Sequence, residues 1–137
     1  MIIWCSTRIR TSPILRRSCF ASFVELPRGI CELQNLEHLD LYLNQLTTLP
    51  AEIGRLKRLR SLDLRFNKIE TLPESFAMLE SLEGVNLAEN RLREIPPWVA
   101  RMPKLTSFFV SGNPVDSASM AWIKRARPDL VVDYRVT

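Results

Sequence analysis

Apolar residues return along this chain in one fixed frame. Residues 36–46 read LEHLDLYLNQL, and the pattern comes back as LRSLDLRFNKI at 59–69, LEGVNLAENRL at 82–92 and LTSFFVSGNPV at 105–115. Each return lies 23 residues after the last, with asparagine at Asn44, Asn67, Asn90 and Asn113. Within the first three stretches the apolar residues alternate with polar ones, as in Leu39-Asp40-Leu41, and this period of two predicts a short strand with one buried side. The intervening stretches LPRGICELQNL (26–36), LPAEIGRLKRL (49–59), LPESFAMLESL (72–82) and IPPWVARMPKL (95–105) repeat too. There a proline is followed by apolar residues at intervals of three, which predicts a turn leading into helical or 3₁₀ backbone. A unit that alternates strand and return arm at a constant period predicts a stack of similar coils.

The predicted core reads down the stack in columns. Leu39, Leu62, Val85 and Phe108 form one strand column, and Leu41, Leu64, Leu87 and Val110 the next. The return arms contribute Ile30, Ile53, Phe76 and Val99, then Leu33, Leu56, Leu79 and Met102. One coil cannot bury enough apolar surface to offset the entropy of ordering its own backbone, so stability comes from neighbours that share strands and core. The asparagine amide, with both donors and acceptors, suits backbone groups that the tight turn leaves unpaired.

The frame L-x-x-L-x-L-x-x-N-x-L resembles the leucine-rich repeat. Its 23-residue length and Leu-Pro arms resemble the intracellular subclass related to Ras-pathway scaffolds, over nearly all of residues 23–115. The resemblance implies an α/β solenoid, a horseshoe segment with a parallel concave sheet and helical or 3₁₀ convex arms. It also implies non-enzymatic binding of a protein partner, with small GTPases, kinases and phosphatases as plausible classes.

The two ends differ. Half a repeat precedes residue 36, because Phe23-Val24-Glu25-Leu26-Pro27 matches Leu46-Thr47-Thr48-Leu49-Pro50. Further upstream the frame places the strand columns on Arg16 and Ser18 and the asparagine column on Ala21, and the likeness ends. Residues 1–22 are thus an unassigned basic segment with three competing readings. They are a diverged cap in which Ile14, Leu15 and Phe20 cover the first coil, an organelle-targeting peptide of Arg- and Ser-rich, acid-poor composition, or a junction in a partial product of a longer repeat gene. Residues 116–137 read as a C-terminal cap: a helix with a Ser or Asp N-cap, Pro128 after it, then an extended segment from Leu130 to Tyr134. Trp122 and Ile123 are expected over the open end of the last coil.

Charge narrows the partner class. The chain carries +4 at neutral pH, and Arg8, Arg10, Arg16 and Arg17 account for all of it. From Glu25 onward acidic and basic residues balance, which does not suit a surface that tracks nucleic-acid phosphates. The cluster Arg55, Lys57, Arg58 and Arg60 is flanked by Glu52 and Asp63 and reads as a solvated face. No apolar run reaches the ~18–20 residues of a bilayer span. Cys5, Cys19 and Cys31 form no terminal disulfide cluster, so reduced thiols in a cytoplasmic protein are expected; the alternative is import into an organelle if residues 1–20 are a transit peptide.

The strand positions that point away from the core supply the candidate binding residues: His38, Asp40, Tyr42, Leu43, Asp63, Arg65, Phe66, Asn86, Glu89 and Phe109. The aromatic residues and Arg65 are of the types that anchor protein interfaces. Asp40 and Asp63, about 4.8 Å apart if their strands are neighbours, would repel each other unless a partner brings a cation. Trp98 stands in an arm column otherwise held by Gly29, Glu52 and Ser75, and tucks beside Pro97 and Met102 or meets a partner on the convex side. Catalysis, metal and cofactor are not expected: His38 is the sole histidine, no Cys-x-x-Cys pair or glycine-rich phosphate loop occurs, and the aspartates lie on an open sheet. The reading is a scaffold that binds a protein on its concave face, possessing no cofactor and inserting in no membrane. The alternative is a partial recognition domain of a larger signalling protein or ubiquitin ligase, whose catalytic part is absent from this sequence.

Overall fold

A computed structural model describes the backbone of residues 14–15 and all of residues 23–133. Its strands are β1 (Ile14–Leu15), β2 (His38–Asp40), β3 (Ser61–Asp63), β4 (Gly84–Asn86), β5 (Ser107–Phe109) and β6 (Val131–Asp133). They form one parallel sheet in chain order. Leu39, Leu62, Val85 and Phe108 face one another in register, so the 23-residue frame becomes a physical ladder. Each return arm crosses back through a short 3₁₀ helix: Arg28–Glu32, Ala51–Arg55, Glu74–Met78 and Pro97–Arg101.

The prolines act at the helix entrances. Pro27, Pro50, Pro73 and Pro96 hold φ between −58° and −67°, the range their rings impose. Each of their carbonyls accepts the first helical hydrogen bond, at 3.0 Å from Ile30, Ile53, Phe76 and Val99. The arms pack closely because one column is small: Cys31, Gly54, Ala77 and Ala100. At Gly54 a Cβ would collide with the Ser75 carbonyl of the next arm. The expected core columns are buried, except that Leu33 is only partly so.

Asparagine stitches each turn to the coil before it. Asn67 Nδ2 donates to the Leu41 and Leu64 carbonyls at 2.9 Å, while its Oδ1 accepts from the Leu46 N–H at 3.0 Å. Asn90 and Asn113 repeat these bonds one and two coils on. Asn44 reaches back to the Phe23 N–H at 2.9 Å. These contacts satisfy backbone groups that no strand or helix pairs.

The upstream frame needs correction. Ile14–Leu15 pairs with β2, and Leu15, rather than Arg16, stands opposite Leu39. The step is therefore one residue longer than between the inner strands. The same lengthening occurs at the other end, where Val132 stands opposite Phe108. Cys5, Cys19, Phe20, Ala21 and Tyr134 lie outside the described residues.

The C-terminal cap holds helix α1 (Ser117–Ala126), started by Asp116, whose Oδ1 accepts from the Ser119 N–H at 2.8 Å. Met120 and Ile123 are the buried residues of this helix, whereas Trp122 remains 40% exposed. The expectation that Trp122 covers the last coil is thus corrected, since the helix turns its neighbour Ile123 inward. Trp98 is partly buried against the core, and its ring packs on Phe76 with centroids 5.6 Å apart.

Candidate partner-binding face

The strand residues opposite the core emerge on the sheet side, and the turns after the strands form its rim. His38, Asp40, Asp63, Asn86 and Phe109 lie on the strands, while Tyr42, Leu43, Arg65, Phe66 and Glu89 lie in the turns. The structure draws four of these ten into direct contact around one point. Asp63 binds Arg65 through Nε, 3.0 Å from both carboxylate oxygens, and Nη2, 2.6 Å from Oδ2. The Arg65 guanidinium lies 5.1 Å from the centre of the Tyr42 ring. Tyr42 in turn meets Phe66 edge to face, with centroids 5.5 Å apart and planes at 87°. Hydrogen bonding to Asp63 raises the Arg65 pKa above its ordinary value.

The central column has a local task as well. Asp40 Oδ1 accepts from the Tyr42 N–H at 3.0 Å, Asp63 Oδ1 from the Arg65 N–H at 3.1 Å, and Asn86 Oδ1 from the Ala88 N–H at 3.1 Å. Such side-chain bonds to the backbone two residues on favour Asp or Asn at a turn. Asp40 and Asp63 do face each other in register. The cation beside Asp63, however, comes from Arg65 of the same coil, which corrects the expectation that a partner must bring it.

The remaining candidates disperse. His38 Nδ1 and Ser61 Oγ are hydrogen-bonded at 3.0 Å. Phe109 is partly buried on β5, in register with Asn86. Glu89 is exposed at its turn, its carboxylate against Gly112, where a Cβ would strike it.

One property of the rim was not read from the sequence. Leu43, Phe66 and Glu89 have φ of 55°, 56° and 57°, and Gly112 has 68°. This left-handed conformation crowds a Cβ against the backbone and is disfavoured for bulky residues. The side chains set there point to water, with Leu43 47% and Phe66 46% exposed. Gly112, the one glycine of the column, was the available sequence signal.

Charges elsewhere pair between coils. Glu32 meets Arg55 at 2.7 Å, Glu80 meets Lys57 at 3.0 Å, Glu83 meets Arg60 at 2.9 Å and Glu52 meets Arg28 at 3.4 Å. The basic cluster is therefore largely neutralised by the neighbouring coils. Beside it, Glu37, Arg58, Arg60, Ser81, Glu83 and Lys104 line a shallow hollow of about 340 Å³. Buried Cys31 is a free thiol, and burial, with Glu52 and Glu32 adding to it, pushes its pKa up to about 11. Among the described residues no three metal-ligating side chains cluster, and no helix is long and apolar enough to cross a membrane.

Comparison with known proteins agrees with this geometry. Residues 57–115 match the family model described as leucine rich repeat, and residues 34–77 match that of leucine rich repeats in two copies. A leucine-rich repeat protein of Leptospira interrogans superimposes with TM-score 0.66 at 27% identity, over 82% of this chain and 34% of that one. Internalin C2 of Listeria monocytogenes gives TM-score 0.65 at 23% identity, over 81% of this chain and 47% of its own, a likeness of fold alone. The chain thus spans between a third and a half of the length of these two structures. No curated protein matches it. With its repeats matched from residue 34 to residue 115 and its coils stacked in register, the chain belongs to the leucine-rich repeat proteins.

Proposed function

We propose that this protein is a non-enzymatic scaffold that binds a partner protein on the concave face and rim of its sheet. The family generally serves protein–protein interaction, which supports the class. The observation that carries the site is the left-handed backbone at Leu43 and Phe66. A rim selected for stability alone would favour glycine or asparagine there. Large apolar side chains held at strained positions and facing water fit selection for contact. Arg65, fixed by Asp63 and Tyr42, adds a preorganised cation between them, so little side-chain entropy remains to be lost on binding. Residues 38–109 thus offer a face on which Tyr42, Arg65, Phe66 and Phe109 are the anchors.

The resemblance to Ras-pathway scaffolds suggests cytoplasmic signalling as the setting and a small GTPase, kinase or phosphatase as the partner. Affinity capture from the source cell tests the reading. One bait is wild type; the other carries Tyr42→Ala, Arg65→Ala, Phe66→Ala and Phe109→Ala, with its fold checked by circular dichroism. A partner held by the first and lost by the second is the expected result. A partner held equally by both would refute the concave-face site.

A further inference from the structure

The rim also has a charge pattern that specifies what it can hold. Leu43 and Phe66 occupy equivalent positions on adjacent coils, about one strand spacing of 4.8 Å apart, and both are exposed. Asp40 precedes Leu43 on the same coil, and Glu89 follows Phe66 in the same column. Two other carboxylates of this side have in-chain cations: Asp63 has Arg65 and Glu83 has Arg60. Asp40 and Glu89 have no ion pair among the described residues. One oxygen of Asp40 takes the Tyr42 N–H, and the Glu89 carboxylate lies in the open beside Gly112. Asp40 helps to raise the Arg65 pKa from a distance, yet the hydrogen bonds of that guanidinium go to Asp63.

We propose, resting on the concave-face reading, that the occupant is an extended segment of a partner protein in which apolar side chains stand beside lysine or arginine. The apolar side chains cover Leu43 and Phe66, and the cations meet Asp40 and Glu89. An acidic segment would set like charges against both carboxylates, which electrostatic complementarity disfavours.

The pattern can be tested by removing charge without altering shape. Asn86 already makes, with an amide oxygen, the bond that Asp40 makes with its carboxylate, so Asp40→Asn preserves the turn. Glu89→Gln preserves the length of its side chain. A phage-displayed library of random short peptides is selected on the full chain and then rebound to Asp40→Asn/Glu89→Gln and to Tyr42→Ala/Phe66→Ala, each confirmed as folded by its thermal melt. The expected result is enrichment of peptides that join Lys or Arg to apolar residues. Their affinity should fall about tenfold on the charge-neutral variant and be lost on the aromatic one. Peptides without basic residues, or ones indifferent to Asp40→Asn/Glu89→Gln yet lost on Tyr42→Ala/Phe66→Ala, overturn the charge inference while the concave face stands. Peptides indifferent to both variants, or no enrichment at all, overturn both.

Discussion

The guanidinium of Arg65 lies along the carboxylate of Asp63, two residues earlier, with Nη2 2.6 Å from Oδ2. One coil thereby neutralises its own aspartate and holds a cation over the Tyr42 ring.

Arg65→Ala separates binding from stability. Its side chain is 43% exposed and that of Asp63 26%, so solvent screening limits the pair to at most about 1 kcal/mol of folding free energy. Partner binding should weaken by about 2 kcal/mol or more, the loss expected of a central arginine anchor. Arg65→Lys should restore little, because an ammonium cannot reproduce the two-pronged contact. Urea denaturation and calorimetric titration with a captured partner measure the two quantities.

At Asn67 the cost should be structural. Removing its amide takes one bond each from the Leu41 and Leu64 carbonyls, which keep those from Asn44 and Asn90, and strips the Leu46 N–H of its partner, in a turn where the side chain is buried. Asn67→Ala is expected to destabilise by about 3 kcal/mol. Denaturation midpoints of Asn67→Ala and of exposed Gln45→Ala make the comparison, and equal losses would contradict the role.

Two glycines on the convex arms should respond oppositely. Gly54→Ala drives a methyl group into the Ser75 carbonyl and should cost about 1–3 kcal/mol. Gly29→Ala meets no atom within 4 Å and should be neutral or gain up to about 1 kcal/mol through the unfolded chain. Thermal melts of the two variants decide it.

Arg127 clamps the last coil. Its guanidinium donates to the Met102 carbonyl at 3.2 Å and the Leu105 carbonyl at 2.8 Å, and pairs with Asp129 at 2.7 Å. Arg127→Ala should cost about 2 kcal/mol, and Arg127→Lys should not recover it. Hydrogen bonding to Arg127 lowers the Asp129 pKa below its ordinary 3.8. The contribution of Asp129 is therefore present above that value and lost as pH falls beneath it, through the depressed folded pKa. The cap Asp116, whose pKa its bonds to Ser119 also lower, weakens in acid too, so hydrogen exchange should show α1 less protected in acid than at neutral pH, by less in Asp129→Asn than in wild type.

The first coil can be followed through its thiol. In a chain carrying Cys5→Ser and Cys19→Ser, Cys31 should react with maleimide only as fast as its coil opens, since burial hides it and raises its pKa to about 11. A folded pKa above the ordinary 9.0 means that the thiol's contribution to stability holds below 9.0 and is lost as pH rises from there through 11. Labelling at pH 8 should outpace exchange of the core amides of β4, which would identify this end as the first to open. Labelling no faster than global unfolding would contradict that.

Most of the scaffold was legible in the sequence because it depends on period alone. Leu39, Leu62 and Ile53 are buried where a 23-residue repeat requires, and the asparagines face turns whose backbone needs partners. The rim was less legible. Whether Phe66 has positive φ depends on the turn's closure, and in this column only Gly112 hints at it. The Asp63–Arg65 contact joins residues on one coil through side-chain paths that strand alternation does not specify. Trp122 and Ile123 are adjacent, and the seating of α1 decides which of them turns inward. At β1 a single extra residue moved the strand off the frame.

The asparagine bonds give the stack a polarity. Asn67 takes the Leu46 N–H of the coil before it, and Asn113 the Leu92 N–H, so the N–H after each turn is met by the coil that follows. A chain that lengthens from its N-terminus therefore always carries one unfinished coil, whose turn N–H, as that of Leu46 before Asn67 is made, waits for its acceptor. The coil of Asn113 is held at another place, where the guanidinium of Arg127 bonds the Met102 and Leu105 carbonyls of its return arm.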